Sequence, residues 1–515
     1  MNLIRAATTV GSYTAISRVF GLVREILLSH ILGAGTLADA FVVAFKFPNF
    51  FRRFFAEGAF NAAFVPQIAR CLANGDAEQG RALAKELAQK VFSCLAWFLF
   101  VFVVVVELTT PHIIPLLAPG FATTPERLDL AIQFTRITFP YILFISLSAL
   151  LAGVLNSLYH FAAAAAAPIL LNLMMIAALV FYPYTNLEPG FALCWSVFLA
   201  GLVQFGWLYW VCRQLDFKFW LKWPQVTDDV KKVLKLMVPG TIGAGVMQIN
   251  LFIDMMLASL LPTGSLSYLY YADRLNHLPL SIFGVAIGTA LLPSLSQCWR
   301  QGDVKKAYRQ QNTALNFALQ LTIPATVGLI VLSYPLIDLI FGHGHFQASD
   351  VQKTAPALAA FAFGLPAYVM GKVFVTTYFA CEDTSTPVKI GLICVATNLA
   401  LNLLLMPFFK HVGMAIATSI AAWINTFLLA IFLKKRNLFG FPKALFLNTL
   451  KITFVSLLMG GLLLYIQYWT SATGLKSMSK ILEMVILVGA GGVFYLAFGY
   501  GVGIRPLSPL KSEVS

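Results

Sequence analysis

Fourteen stretches of the chain are about 20 residues long and mostly apolar, each enough to cross the roughly 30 Å hydrocarbon core of a bilayer as a helix. They fall near 8–32, 38–64, 86–109, 132–155, 161–182, 190–212, 236–261, 267–295, 313–337, 355–380, 386–407, 411–433, 446–468 and 479–503. Only 11% of the 515 residues are charged, against about 25% in a soluble domain. The expected fold is therefore an all-α polytopic membrane protein with about 14 transmembrane helices.

The net charge of +14 would suggest nucleic acid in a soluble protein. Here the basic residues gather in alternate short connections. Arg70, Arg81, Lys85 and Lys90 follow the second stretch, and Arg213, Lys218, Lys222, Lys231, Lys232 and Lys235 follow the sixth. Arg300, Lys305, Lys306 and Arg309 follow the eighth, and Lys434, Lys435, Arg436 and Lys443 the twelfth. This is the positive-inside pattern, which puts both termini in the cytoplasm and leaves no nucleic-acid partner to explain. The longest polar connections, near 67–85 and 213–235, suit short surface helices. Seven scattered cysteines show no Cys-x-x-Cys spacing, so neither a disulfide framework nor a zinc site is supported. The N-terminus reads as an uncleaved first helix, since it lacks a compact apolar core followed by a small-residue cleavage site.

The chain repeats itself. Pro66, Cys71, Gly75 and Asp76 recur 227 positions later as Pro293, Cys298, Gly302 and Asp303, and Pro140 is echoed by Pro366 at an offset of 226. A duplicated six-helix unit with an even number of helices keeps both copies in one orientation, a common transporter plan with the site between halves. The expected domains are 1–225, 226–440 and a C-terminal pair over 441–515. No loop is long enough for a catalytic domain and no G-x-x-x-x-G-K-[ST] motif occurs, so an enzyme or built-in ATPase is not expected.

Within this apolar chain, the stretch ADAFVVAFKFPNFFRRFFAEGAFNAAFVP carries Asp39, Lys46, Arg52, Arg53 and Glu57. A charge near mid-membrane costs about 2.5 kcal/mol or more, so such residues must line a polar interior or sit at its rim. At about 100° per residue, Asp39, Lys46, Arg53 and Glu57 fall within about 40° of one another on a helix, with Arg52 about 100° away. The first stretch adds Arg18, Arg24 and Glu25; the second half supplies Asp273, Arg274, His277 and Lys372. Guanidinium binds phosphate oxygens bidentately, so these basic groups suit a phosphate-bearing ligand. The competing reading is that they pair with the carboxylates and hold helices together. Asp254, Asn398, Asn402 and Thr418 offer oxygens of the kind that bind a hard cation, or else bond helix to helix.

The same charged stretch, together with SRVFGLVRE, YYADRL followed by GVAIGTALLPSLS, and TPVKI, resembles the MurJ/MviN family of lipid II flippases along essentially the whole chain. The resemblance implies the fold of the multidrug/oligosaccharidyl-lipid/polysaccharide exporter superfamily: two pseudo-symmetric six-helix lobes in a MATE-like V, plus two C-terminal helices whose groove takes the lipid tail. It implies a bacterial inner-membrane protein that flips lipid II, the undecaprenyl-pyrophosphate-linked disaccharide-pentapeptide, by alternating access in support of peptidoglycan synthesis. Membrane lipids and the cell-wall synthesis machinery are the implied partners. The family's cavity arginines match at Arg18, Arg24, Arg52 and Arg274, with Asp39 in place. Its sodium site matches at Asp254, Asn398, Asn402, the Met414 carbonyl and Thr418. Asn402 stands where that site has an acidic ligand, and His277 where some relatives have Glu. The alternatives are an exporter of another polyprenyl-linked sugar or amphiphile on the same fold, or a polyprenyl-pyrophosphate enzyme. An alanine at a cavity arginine is expected to abolish transport and leave folding largely intact.

Overall fold

The computed structural model describes residues 3–55, 59–74, 76–472 and 479–504. Over the described residues each apolar stretch lies on a helix or on two consecutive helices, apart from a few end residues. No strand occurs among the described residues. Nine helices or helix pairs among them are long and apolar enough to cross a membrane; fourteen crossings stay an expectation from the sequence.

The chain divides into two compact units, Met1–Ser267 and Tyr268–Ser515. The first holds α1 (Leu3–Leu32), α2 (Thr36–Phe55), α3 (Ala59–Leu72), α4 (Ala77–Leu117), α5 (Pro125–Thr138), α6 (Tyr141–Ser157), α7 (Phe161–Phe181), α8 (Pro189–Gln214) and α9 (Asp228–Ser259). α1 packs along α7, α7 and α6 on α8, and α2 on α5. α9 packs on α3 and α4 within this unit. The shared core includes Phe64 and Ile68 of α3, Phe92 of α4, Leu150 and Val154 of α6, and Phe217 and Phe219 beyond α8.

One approach in this unit admits only glycine. A Cβ on Gly120 would lie 1.9 Å from the Ser259 carbonyl oxygen, while the Gly120 N–H donates to Ser259 Oγ at 3.1 Å. Gly120→Ala would push the end of α9 away from the 119–123 turn and break that bond. Overpacking of this kind costs about 1–3 kcal/mol. The expected result is a lower melting temperature of the purified protein, and an unchanged melting curve would refute the contact.

The helix α10 (Ser265–Arg300) starts at the end of the first unit and runs into the second, which continues with α11 (Val304–Val331), α12 (Ser333–Phe341), α13 (Ala348–Phe363), α14 (Leu365–Ala380), α15 (Ser385–Lys435), α16 (Lys443–Ala472) and α17 (Lys480–Gly501). The repeat is visible at its caps. Asp76 is the N-cap of α4 and Asp303 the N-cap of α11, where its carboxylate accepts from Lys306 N at 3.0 Å. The C-terminal pair packs on this unit: α16 lies against α11, the Tyr495 hydroxyl of α17 donates to Gln320 O at 2.9 Å, and Lys480 pairs with Asp338 of α12 at 2.7 Å.

α15 is helical by backbone hydrogen bonding over 51 residues, which in a straight helix would measure about 77 Å. It cannot be straight. Asn398 and Thr418 would then stand about 30 Å apart, yet Asn398 Nδ2 lies 3.4 Å from Thr418 Oγ1. The chain doubles back at Lys410 (φ 50°, ψ −131°), just after Pro407. Gly413 closes the turn, where a Cβ would come 2.6 Å from Leu405 O. The stretches 386–407 and 411–433 are thus the two arms of a tight helical hairpin.

Two connections depart from expectation. Residues 77–85 are no separate surface helix but the first turns of α4, and residues 217–226 run without helix until α9 begins at Asp228.

Candidate substrate site

In the first unit, Arg24 sits on α1 where it packs against α7, only 7% exposed. Its guanidinium donates to Asn172 Oδ1 on α7 at 2.9 Å, touches Met175 Sδ at 3.8 Å, and is ion-paired with Glu25. Asn172 turns its amide the other way, donating to Ser17 O at 3.0 Å. The Arg24 charge centre also lies 5.9 Å from the Phe45 ring of α2. Arg24 is therefore held in one orientation by groups from α1, α2 and α7. Arg18, on the same helix, is half-buried, as is Arg52 near the end of α2.

The charged stripe of α2 is split. Asp39 is fully buried while Lys46, on nearly the same helical face, is exposed. Asp39 Oδ2 accepts from Arg127 Nη2 at 2.5 Å and from Gly264 N at 2.8 Å; Oδ1 accepts from Ser267 N at 2.9 Å and Ser267 Oγ at 2.6 Å. Four donors occupy the carboxylate, so protein groups answer its charge here. Arg127 is itself 2% exposed and stacks on the Phe121 ring, its charge centre 3.9 Å from the centroid. Glu57 and the Arg53 side chain lie outside the described residues.

In the second unit, Asp273 and His277 pair one turn apart at 3.3 Å, both partly exposed. Arg274 lies over the Tyr270 ring at 4.7 Å, and the Lys372 side chain is exposed. The site residues thus belong to two groups, Arg18, Arg24, Asp39, Lys46 and Arg52 in one unit and Asp273, Arg274 and Lys372 in the other.

The residues expected to hold a cation divide in the same way. Asp254 belongs to the first unit, where Asn250 Nδ2 donates to it at 3.1 Å. The other four meet on the α15 hairpin. Asn402 Nδ2 donates to Asn398 Oδ1 at 2.8 Å, Asn398 Nδ2 to Thr418 Oγ1 at 3.4 Å, and Thr418 Oγ1 to the Met414 carbonyl at 2.9 Å. These bonds tie the two arms of the hairpin together, and each accepting oxygen keeps a second lone pair.

Sequence reasoning missed Arg127 and Asn172, the partners that fix Asp39 and Arg24. Both lie far along the chain from their partners, 88 and 148 residues away. The available signals were an Arg in the first turn of α5 and a lone Asn within apolar α7.

The family model for the lipid II flippase MurJ matches residues 28–484. A probable lipid II flippase MurJ of Rhizobium tropici is 40% identical over 511 residues, covering 97% of this chain and 95% of the relative. A lipid II flippase MurJ of Burkholderia cenocepacia is 34% identical over 507 residues, covering 98% of this chain and 97% of its own. Among solved structures, a lipid II flippase MurJ in an inward closed conformation superposes with a TM-score of 0.76 at 27% identity, over 96% of this chain and 99% of that one. An inward-facing MATE family multidrug transporter matches with a TM-score of 0.67 at 16% identity, over 85% and 98%, which shows a shared fold alone. The match runs through both units and includes the charged stretch of α2, so the chain belongs to the lipid II flippase MurJ family.

Proposed function

We propose that this protein moves lipid II from the inner to the outer leaflet of the bacterial cytoplasmic membrane by alternating access, and so supplies peptidoglycan synthesis. The observation that carries this reading is the family match over nearly the whole chain. The basic side chains give it a chemistry. Arg24, Arg18, Arg52 and Arg53 in the first unit, and Arg274 and Lys372 in the second, are the groups proposed to take the pyrophosphate. Arg24 is the best placed, because Asn172 and Glu25 fix its guanidinium before substrate arrives. Lys46, Glu57 and Asp273 complete the proposed polar lining, and Asp39 contributes by holding Arg127 and residues 264–267.

The undecaprenyl tail is assigned to the C-terminal pair. An apolar cavity of about 510 Å³ opens on α17, lined by Phe494, Ala497, Phe498, Gly501 and Val502, beside exposed Val493, Leu496 and Tyr500. The anionic headgroup gains from the inside-negative potential as it moves outward, about 2.3 kcal/mol per charge per 100 mV. The membrane potential is the proposed main drive, with Asp254, Asn398, Asn402, the Met414 carbonyl and Thr418 the groups proposed for a weakly held sodium ion. Both termini face the cytoplasm on the loop charges, and the cell-wall synthesis machinery is the proposed consumer of the flipped product.

The test is to deplete the protein and measure lipid II by leaflet. Lipid II should accumulate in the inner leaflet and return to the outer one when the wild-type chain is restored. An unchanged outer-leaflet fraction after depletion would overturn the proposal.

A further inference from the structure

The connection from α8 to α9 has a composition of its own: FKFWLKW over Phe217–Trp223. Phe217 and Phe219 are buried in the core of the first unit, but Trp220, Leu221 and Trp223 are 64%, 64% and 78% exposed. The segment is laid down along α4 as an extended strap. Gln89 Nε2 donates to Trp220 O at 2.6 Å and Trp220 N donates back to Gln89 Oε1 at 2.9 Å. Further along, Lys222 N donates to Ser93 Oγ at 3.4 Å, Trp97 Nε1 donates to Lys222 O at 3.0 Å, and the Trp97 and Trp223 rings stack 5.2 Å apart. A segment pinned by its main chain at these points presents its exposed side chains in a fixed arrangement.

Those side chains suit a bilayer interface. Two indoles and a leucine exposed together are an unfavourable surface in water, whereas Trp beside Lys is the pairing found at headgroup level. Charge points the same way. Arg213, Lys218 and Lys222 stand exposed, and Asp216, the one acid among residues 213–226, is held by Lys85 and lies 4.0 Å from Lys218. The hydrogen bond and charge of Lys85 keep the Asp216 carboxyl below the usual carboxylate range.

Behind the strap lies an apolar cavity of about 410 Å³, with Phe92, Phe100, Leu143, Leu147, Phe205 and Leu221 in its wall. Small-ligand pockets run from about 300 to 1,000 Å³. The wall residues with polar side-chain atoms are Trp97 and Tyr209. Each gives its N–H or O–H to a strap carbonyl, Trp97 to Lys222 and Tyr209 to Phe219 at 3.2 Å. Nothing polar in the wall is left for an occupant, so the cavity suits a hydrocarbon chain. Leu221, part of the wall, is followed directly by Lys222.

We propose that the strap and this cavity form a binding site for an anionic phospholipid of the cytoplasmic leaflet. One acyl chain enters the cavity past Leu221, the phosphate sits against Lys222 and Lys218, and Trp220 and Trp223 lie at headgroup depth. The site is distinct from the substrate residues on α1 and α2 and from the groove on α17.

Native mass spectrometry of the full-length protein with phosphatidylglycerol and phosphatidylcholine of matched chains tests this. Each basic residue near an anionic lipid surface contributes about fivefold to affinity. Wild type should therefore retain phosphatidylglycerol about tenfold or more over phosphatidylcholine, and Lys218→Gln with Lys222→Gln should bring the two lipids level. These lysines are exposed, so the variant should fold, and an unchanged melting temperature checks it. Leu221→Asn should lower retention of both lipids. Inorganic phosphate at millimolar concentration should displace neither. Equal retention by wild type, a preference that survives loss of both lysines, retention unaffected by Leu221→Asn, or displacement by inorganic phosphate would each overturn the proposal.

Discussion

Arg24→Ala is expected to abolish lipid II transport and to destabilise the first unit at once. The substitution removes the Arg24 side of the ion pair with Glu25, which is 4% exposed, and takes the donor from Asn172 Oδ1. Removing one member of a buried ion pair costs about 3–5 kcal/mol, because the remaining charge is stranded away from water. For Arg24 the buried pair with Glu25 makes a folding cost part of the expected result. The two effects separate in a double variant. Arg24→Ala with Glu25→Ala removes both charges and should recover most of the melting temperature, yet still fail to support growth when the wild-type protein is depleted. Arg24→Lys should be intermediate in stability and poor in transport, since an ammonium cannot reproduce the planar fork that reaches Asn172 and Glu25 together. Normal growth with Arg24→Ala at wild-type expression would exclude Arg24 from the substrate site.

Asp39→Ala should be strongly damaging to folding. It orphans Arg127, two backbone N–H groups and the Ser267 hydroxyl in a site without solvent access. A loss of about 3–5 kcal/mol is expected from the stranded arginine alone, read as low yield and a lower melting temperature. Asp39→Asn keeps acceptors for some of the four donors but gives up the charge, and should fall between. Asp39→Leu with Arg127→Met should restore part of the stability, as replacement of both partners of a buried pair by apolar groups often does. A melting temperature for Asp39→Ala equal to that of wild type would mean that the four hydrogen bonds do not form in the membrane.

Much of this architecture is legible before any coordinates, for a physical reason. Apolar runs of membrane length declare helices locally, and the repeat places Asp76 and Asp303 at equivalent helix starts because an N-cap is set by the residues beside it. The doubling of 386–433 is likewise readable from a Pro and a Lys between two apolar runs. Side-chain partnerships are not local. Whether Arg24 meets a phosphate, Asn172 or Glu25 depends on how α1 is rotated against α7, and no period along α1 records that. The strap shows the same limit. Its polarity suggested a surface helix, but Gln89, Ser93 and Trp97 at i, i+4 and i+8 of α4 supply the bonding partners that hold it extended.

The α15 hairpin has a mechanical corollary. Its arms meet at a turn with no slack, Gly413 against the Leu405 backbone and Lys410 in the left-handed region, and they are stitched again farther in by Asn398 and Thr418. Such a pair transmits displacement as a lever does. A shift applied where one arm touches α14 must reappear on the other arm with little damping, because no flexible joint between them can absorb it. An epitope tag or a few glycines inserted at 410–411 would add that missing joint, at the cost of the Gly413–Leu405 contact and the His411 bond to Lys353 O, and should weaken transmission between the arms.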